Sequence, residues 1–436
     1  MLRLLLRQNR VVLSEVRSCG SFAQIMSEAI DNRKAEVGTK RTKDMSYKSR
    51  YEGSKKRREW KGAIEVSQEK KEGSEPFVRI KRKKSVILLG YSGKDYYGMQ
   101  RNPDVKTVEQ ELLAAMLKNN WITEEAYNFP QSIGFQRAAR TDKGVSAVRQ
   151  CVSLKLPLDL NIQSLNADLP SQIRVFAVKT VTQGFNSKND CMARTYTYTL
   201  PTIALSSDSS SESPMEKFRI PSEVLDKFRE ILKMFQGTKN YHNFTTKKAY
   251  LDPSSNRYII SFTCQDPFVV EDVEFVELRV KGQSFMMHQI RKMVGLALAI
   301  IRGHQDVKLL ENAFTQTRLN IPRAPGLGLV LDTLHYDRYN RRYGSDGIHT
   351  PLTWEEVEEE IQKFVKKEIH PVITGTEIAE KPTLDWLENK LSTHDFTDQV
   401  GEDNDSNDED EDQEEKPAEN SAQELISKED VTLKTE

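Results

Sequence analysis

The chain has 436 residues, of which 37% are hydrophobic and 30% are charged, and its formal net charge at neutral pH is −1. An apolar fraction this low indicates that part of the chain does not belong to a globular core. The longest apolar run, residues 293–301, is about half as long as a membrane-spanning helix, so no membrane segment is predicted. The four cysteines form no Cys-x-x-Cys pair, which argues against a disulfide framework and against a structural zinc site.

The charge is unevenly distributed along the chain. Residues 1–84 contain 23 Lys and Arg against 11 Asp and Glu, a net charge of +12. Residues 401–436 contain 3 against 15, a net charge of −12, and the rest of the chain carries −1. We therefore predict a near-neutral folded body, preceded by a disordered basic arm and followed by a disordered acidic tail over residues 397–436.

The N-terminal segment, residues 1–83, is predicted to contain a targeting signal followed by the basic arm. Residues 1–26 resemble a mitochondrial presequence, since their arginines and leucines separate on a helical projection and Glu15 is the only acid. Basic clusters at residues 55–58 and 81–84 suit nuclear import or phosphate contacts. We hypothesise that translation from Met1 yields a mitochondrial form and a start at Met26 a nuclear one. In the alternative, Met26 is incidental and the protein occupies one compartment.

Residues 84–184 are predicted to form a first α/β half. The apolar run Val86–Leu89 predicts a buried strand, and Thr107 is placed to cap a helix with Leu112 and Met116 on its buried side. Alternating apolar residues predict further strands at residues 148–156 and 173–181.

Residues 190–345 are predicted to form a second α/β half of similar make-up. The expected helices cover residues 222–235 and 285–302, and the expected strands cover residues 194–200, 257–264, 274–280 and 327–335. The Ser-rich residues 205–214 are predicted to be a surface insertion. Residues 346–396 are predicted to be a helical extension, with helices near residues 354–367 and 383–391.

The densest cluster of polar residues is the loop 135–147, which precedes a predicted strand. It contains one carboxylate, Asp142, bracketed by four basic residues: Arg137, Arg140, Lys143 and Arg149. Such surroundings keep a carboxylate ionised and also bind phosphates. An ordinary turn would explain the same aspartate and the following glycine, so the residues alone leave both interpretations open.

Two further positions could carry function. Arg291 immediately precedes the apolar run of the long predicted helix, where a buried guanidinium needs a carboxylate partner, and Asp142 is our candidate. Alternatively, the side chain of Arg291 extends to the surface. Tyr196 and Tyr198 are spaced for one face of a strand beside Arg194, where aromatic rings either stack on nucleobases or simply pack.

The motifs around these positions resemble those of the TruA family of tRNA pseudouridine synthases. The resemblance rests on Arg140-Thr-Asp-Lys-Gly-Val-Ser-Ala147 and on the flanking motifs at residues 134–137, 184–189, 193–198, 281–295 and 324–331. They occur in the family's order from about residue 84 to residue 395, and the flanking motifs are similar to those of its eukaryotic branch. The acidic tail is not covered by the resemblance.

The resemblance implies an α+β fold with two ferredoxin-like (RRM-like) α/β halves. These halves would share a continuous antiparallel sheet, with the active-site cleft between them. Asp142 matches the family's catalytic aspartate, Arg140 the arginine that helps to displace the target base, and Tyr196 the tyrosine that stacks on the flipped uracil. Arg291 matches the arginine paired with the aspartate, and Leu329 a leucine lining the pocket.

The resemblance also implies that the protein isomerises uridine to pseudouridine in the anticodon-stem region of tRNA, with mRNA and snRNA as further RNA partners. It implies a monomer that needs no cofactor and no metal. Asp142 could attack C1′ or act as a base at C2′, and the sequence leaves both routes open. Two alternatives are a catalytically inactive RNA-binding paralogue, which should have lost Asp142 or Arg291, and a synthase of a neighbouring branch with other target positions.

Overall fold

The computed structural model describes residues 81–207, 215–246 and 248–397. The predicted presequence, most of the basic arm, the acidic tail and most of the Ser-rich insertion lie outside the described residues. The first strand begins slightly before the expected start of the first half at residue 84, because Arg82 and Lys83 already pair with Pro157 and Leu156 in the sheet. No helix in the described part of the chain is long and apolar enough to cross a bilayer.

The first half has the strand and helix sequence of a ferredoxin-like unit. Its elements are β1 (Arg82–Tyr91), α1 (Val108–Lys118), α2 (Glu124–Asn128), β2 (Gln136–Arg137), β3 (Ser146–Pro157), α3 (Ile162–Asp168) and β4 (Ile173–Thr180). The strands lie in the order β4-β1-β3, and the short β2 pairs with β3. Thr107 caps α1 as predicted, since its hydroxyl accepts a hydrogen bond from the Gln110 amide.

The second half repeats this arrangement. Its elements are β5 (Ala193–Pro201), α4 (Ser222–Lys233), β6 (Gly237–Asn240), β7 (Asn256–Cys264), β8 (Phe268–Val270), β9 (Val273–Gly282), α5 (Gln289–Ile301), α6 (Val307–Asn312) and β10 (Leu329–His335). The strands lie in the order β10-β5-β9-β7-β6, and β8 pairs with β9. β4 pairs with β1 in the first half, and β10 pairs with β5 in the second. This pairing of the last strand with the first is the ferredoxin-like order.

The two halves form one ten-stranded sheet, because β3 of the first half pairs with β10 of the second. This confirms the predicted α+β fold with a continuous sheet. The junction differs from the expectation in one detail. Residues Ser146 and Ala147 pair in parallel with Val330 and Leu331, whereas the other described strand pairs are antiparallel. Antiparallel pairing with β1 fixes the direction of β3, and antiparallel pairing with β5 fixes that of β10. As a result, β3 and β10 run parallel where the halves meet, and they pair over two residues.

Further helices follow β10 and pack on the sheet. They are α7 (Asp337–Tyr343), α8 (Glu358–Phe364), α9 (His370–Ala379) and α10 (Pro382–Trp386). The threonines of β5 are buried beneath this extension, since Thr197 and Thr199 line a small cavity together with Ile373. The last described residues return to the second half, where the amide of Asn320 donates to the carbonyl of Phe396 at 3.1 Å.

Two local expectations are corrected. The long helix α5 begins at Gln289 instead of Phe285, because His288 adopts the left-handed conformation with φ of 58° and cannot continue a right-handed helix. The Ser-rich segment does not begin on the surface at Leu205, because that residue is fully buried at the end of a short 3₁₀ turn.

Candidate active site

Asp142 lies on the loop that connects β2 to β3, and buried hydrogen bonds fix this loop from beneath. The Tyr91 hydroxyl lies 2.9 Å from the Thr141 hydroxyl. The Gln150 amide donates to the carbonyl of Ala139 at 2.8 Å and accepts from the amide of the same residue at 3.3 Å. Burial raises the pKa of Tyr91 to about 12, so its hydroxyl is neutral and can donate. The loop is therefore rigidly supported.

A second loop, residues 92–99, packs its backbone directly against the Asp142 loop. The Met99 amide donates to the carbonyl of Thr141 at 3.2 Å, and the Gly144 amide donates to the carbonyl of Tyr96 at 3.1 Å. A Cβ atom at Gly98 would lie 2.4 Å from the Thr141 carbonyl oxygen, and the residue has a φ of 87°. This close approach requires glycine.

The second half contributes Arg291 from the first turn of α5. Its Nη1 atom lies 3.7 Å from Oδ2 of Asp142, and the two side chains are 10% and 24% exposed. The Nε atom donates to the carbonyl of Ala324 at 2.8 Å, while the Ala324 amide donates to the Arg291 carbonyl at 3.2 Å. Residues from the two halves thus meet in a partly buried ion pair, which the segment before β10 holds in place.

Glycine also allows this segment to approach α5. A Cβ atom at Gly295 would lie 2.2 Å from the carbonyl oxygen of Pro322. Any larger residue there would push the 322–324 segment away from the helix, and with it the carbonyl that orients Arg291.

His288 approaches the same carboxylate oxygen. Its Nε2 atom lies 3.8 Å from Oδ2 of Asp142, and Nη1 of Arg323 lies 3.1 Å from Nδ1 and 3.0 Å from Nε2 of the ring. Burial is the main cause that lowers the pKa of His288 to about 3, and the cations Arg323, Arg291 and Lys292 act in the same direction. The imidazole is therefore neutral near pH 7, and its contact with Asp142 is not an ion pair.

Tyr196 lies on β5 next to this pair. It is 7% exposed, and its ring contacts Phe285 edge to face with a centroid separation of 5.3 Å. Burial raises the pKa of the Tyr196 hydroxyl well above its ordinary value, Arg194 partly opposes this effect, and the negative charge of Asp142 adds to it. The phenol is therefore protonated at neutral pH.

Leu329 and Tyr198 are buried neighbours on β10 and β5. Leu329 begins β10 directly opposite Tyr198 and is 6% exposed. The Tyr198 hydroxyl donates to the carbonyl of Pro325 at 2.7 Å. Of the two tyrosines considered for base stacking, Tyr198 therefore supports the 324–328 loop, whereas Tyr196 is the one beside Asp142.

Two of the four basic residues expected around Asp142 have other partners. Arg137 binds both carboxylate oxygens of the buried Glu109, at 2.8 and 3.0 Å. Arg149 binds both carboxylate oxygens of Glu358, at 2.7 and 2.8 Å. The expectation that they bracket Asp142 was wrong, because bidentate pairs with their own carboxylates hold them in place.

The other two basic residues of the loop, Arg140 and Lys143, are exposed. The Lys143 ammonium lies 4.3 Å from the centre of the Tyr97 ring, in a cation–π contact. Their side chains are accessible to a phosphate-bearing ligand.

Comparison with known proteins identifies the relatives of this chain. The family model described as tRNA pseudouridine synthase matches residues 231–337. The pseudouridylate synthase 1 homolog of Mus musculus is 44% identical over 330 residues, which cover 75% of this chain and 78% of the mouse protein. The homolog of Homo sapiens is 46% identical over 316 residues, 72% of this chain and 74% of the human protein. The tRNA pseudouridine synthase 1 of Yarrowia lipolytica is 32% identical over 387 residues, 69% of this chain and 73% of the yeast protein.

The chain belongs to the TruA family of tRNA pseudouridine synthases. It is therefore an isomerase by family. The matched segment contains Arg291 and Leu329, and Asp142 lies outside it in the first half.

Three residues beside the Asp142 site of this synthase were not predicted from the sequence: His288, Arg323 and Phe285. His288 is three residues before Arg291, and this spacing could have marked it as a neighbour of the same site. No sequence signal connects Arg323 with His288, because their contact joins residues 35 positions apart. Phe285 was assigned to the helix, although it precedes α5 and packs on Tyr196.

Proposed function

We propose that this protein isomerises uridine to pseudouridine in tRNA, with Asp142 as the catalytic carboxylate. The observation that supports this role is the position of Asp142, which meets Arg291 at 3.7 Å where the two halves of the sheet join. The guanidinium favours the ionised form of the carboxylate, which is the form that can attack carbon or accept a proton.

The product contains the same atoms as the substrate, and only protons are exchanged with solvent. The N1–C1′ bond breaks, the base turns, the C5–C1′ bond forms, N1 gains a proton, and the proton of C5 leaves to solvent. Asp142 either attacks C1′ and is later displaced by C5, or removes the proton of C2′ and later returns it. Both routes use the ionised carboxylate.

The neighbouring residues suit the steps that precede bond cleavage. A uridine in a helical stem must leave its stack, at a cost of a few kcal/mol. We assign to the exposed Arg140 the displacement of the base, to Tyr196 the stacking on the flipped uracil, and to Leu329 the apolar wall of the pocket. Arg140 and Lys143 can also contact phosphates of the RNA.

The proposed substrate is tRNA, in its anticodon-stem region, with mRNA and snRNA as further RNA substrates, and the proposed active species is a monomer. The direct test uses transcribed tRNA labelled with tritium at C5 of uridine. Formation of the C5–C1′ bond must release the label into water, so a synthase releases it whereas an inactive RNA-binding paralogue binds the tRNA without release.

The same assay separates this branch from neighbouring ones. Transcripts in which single anticodon-stem uridines are replaced by cytidine should each lose part of the released tritium. Loss of release only on replacement of uridines elsewhere would assign the protein to another branch, and mRNA and snRNA fragments can be compared on the same scale.

Tyr196→Phe is expected to keep the affinity for tRNA and to slow the reaction, because stacking needs the ring and proton transfer at C5 needs the hydroxyl. Tyr196→Ala should also weaken engagement of the flipped base. Because the pKa of Tyr196 is raised well above its ordinary value, the ratio of wild-type to Tyr196→Phe rates should stay constant between about pH 6 and about pH 9. Single-turnover rates measure this ratio, and equal rates for both proteins would restrict Tyr196 to stacking.

We also propose that the protein occupies both mitochondria and the nucleus through two translation starts. The support is the presequence-like pattern of residues 1–26 and the basic clusters at residues 55–58 and 81–84. A fluorescent fusion with Met26→Leu should lose its nuclear pool, and a fusion lacking residues 1–25 should leave mitochondria. If neither change alters the distribution, the two-start hypothesis is wrong.

A further inference from the structure

His288 is buried beside the catalytic pair and has no part in the function proposed so far. Its Nε2 atom lies 3.8 Å from Oδ2 of Asp142, the oxygen that Nη1 of Arg291 approaches to 3.7 Å. Nη1 of Arg323 also contacts the ring, at 3.1 Å from Nδ1 and 3.0 Å from Nε2. The imidazole is therefore in contact with the Arg323 guanidinium and close to the catalytic carboxylate.

The backbone of His288 is unusual for a bulky residue. Its φ of 58° is left-handed, and among the seven non-glycine residues with positive φ in the described ranges, only His288 and Trp354 are buried. The side chain makes no capping hydrogen bond to α5, so the helix end does not account for a histidine here. A costly backbone conformation retained beside a reactive group indicates a functional constraint.

The carboxylate beside Nε2 determines which tautomer of the ring can bind it. A guanidinium only donates hydrogen bonds and a carboxylate only accepts them. Nη1 of Arg323 is almost equally close to both ring nitrogens and does not distinguish the tautomers, so we assign the proton to Nε2 because only that tautomer can donate towards Asp142. The pKa of His288, lowered to about 3, keeps the ring neutral, so the contact can orient Asp142 without adding a second positive charge.

We propose that His288 is a positioning residue whose Nε2–H donates a hydrogen bond to Oδ2 of Asp142 in the RNA complex and holds the carboxylate against the reacting sugar. This inference rests on the proposed role of Asp142. The separation of 3.8 Å must shorten by about 0.8 Å to form the bond, and catalytic hydrogen bonds commonly tighten in this way when substrate binds.

The test compares His288→Gln with His288→Met in the full-length protein. Both side chains are unbranched and of similar length, and both meet the same left-handed backbone, but only glutamine can donate from the position of Nε2. We expect the single-turnover rate of tritium release from tRNA to fall about 10²-fold in His288→Met and only a few-fold in His288→Gln. The dissociation constants for tRNA and the melting temperatures of the two variants should agree.

His288→Gly removes the ring and relieves the positive φ, so it replaces His288→Met if that variant does not fold. A slow, folded His288→Gly protein supports the proposal. Equal rates for His288→Gln and His288→Met, or a His288→Gly protein as active as wild type, overturn it. A wild-type protein that releases no tritium would instead contradict the proposed function itself, so the two failures are distinguishable.

Discussion

Asp142→Ala is expected to abolish pseudouridine formation and to leave the fold and tRNA binding nearly intact. The substitution removes the carboxylate that reacts at the sugar, and losses of about 10²–10⁴-fold are typical when a reacting acid or base is removed. The side chain is 24% exposed and lies on a loop fixed by its backbone, and Arg291 keeps its hydrogen bond to the Ala324 carbonyl, so this substitution should destabilise the fold less than removal of Arg291. Asp142→Asn should be equally inactive if the negative charge is required. Tritium release in single turnovers measures the effect.

Asp332→Asn is the matched control for this substitution. Asp332 is likewise a partly buried carboxylate that pairs with arginine, at 3.4 Å from Arg149 and 3.3 Å from Arg279, and its side chain is 16% exposed. It lies on β10, outside the site, so its loss should leave the single-turnover rate within a few-fold of wild type. An Asp142→Ala protein that keeps more than about 1% of wild-type activity would contradict the assignment of Asp142 as the catalytic residue.

Arg291→Ala is expected to reduce both activity and stability. Removal of one partner of a fully buried ion pair typically lowers the free energy of unfolding by about 3–5 kcal/mol, and we expect a smaller loss here because water reaches part of Asp142, which is 24% exposed. The substitution also leaves the Ala324 carbonyl without the hydrogen bond from Nε. Arg291→Lys should restore only part of both losses, because lysine lacks the planar guanidinium that contacts Asp142 and Ala324 together. Urea unfolding and tritium release measure the two effects.

Arg279→Ala provides the comparison for stability. Arg279 pairs with Glu277 and Asp332, but its side chain is 44% exposed, and exposed pairs contribute about 0–1 kcal/mol to stability.

The double variant with Asp142→Ala and Arg291→Ala should be destabilised by less than the sum of the single variants, because the removed groups interact. If Arg291→Ala unfolds at the wild-type urea concentration, the ion pair does not stabilise the fold.

Much of the architecture was predictable because it depends on local patterns. The predicted bounds of β3, β5 and β10 agree with the structure within a few residues, and the Thr107 cap marked the start of α1. These signals are local because strand faces and helix caps involve residues within a few positions of each other. The motif from Arg140 to Ala147 likewise indicated the family, since its residues are contiguous in the chain.

The partner of each charged residue was decided by tertiary structure. Arg137 is diverted to Glu109, 28 positions away, and Arg149 to Glu358, 209 positions away, so local sequence could not distinguish them from Arg140. The start of α5 was misplaced for a related reason. Nothing in the helical pattern from Phe285 to Arg302 reveals that His288 is left-handed.

The sequence by itself determined the family, the α+β class and the candidates Asp142, Tyr196 and Arg291, because contiguous motifs and residue periodicity carry that information. Only the tertiary structure decided that Arg291 and His288 approach one oxygen of Asp142. That geometry depends on the junction of β3 with β10 and on the packing of the 322–324 segment against α5. Both are contacts between residues far apart in the chain, and they are set by the packing of the whole sheet and its helices.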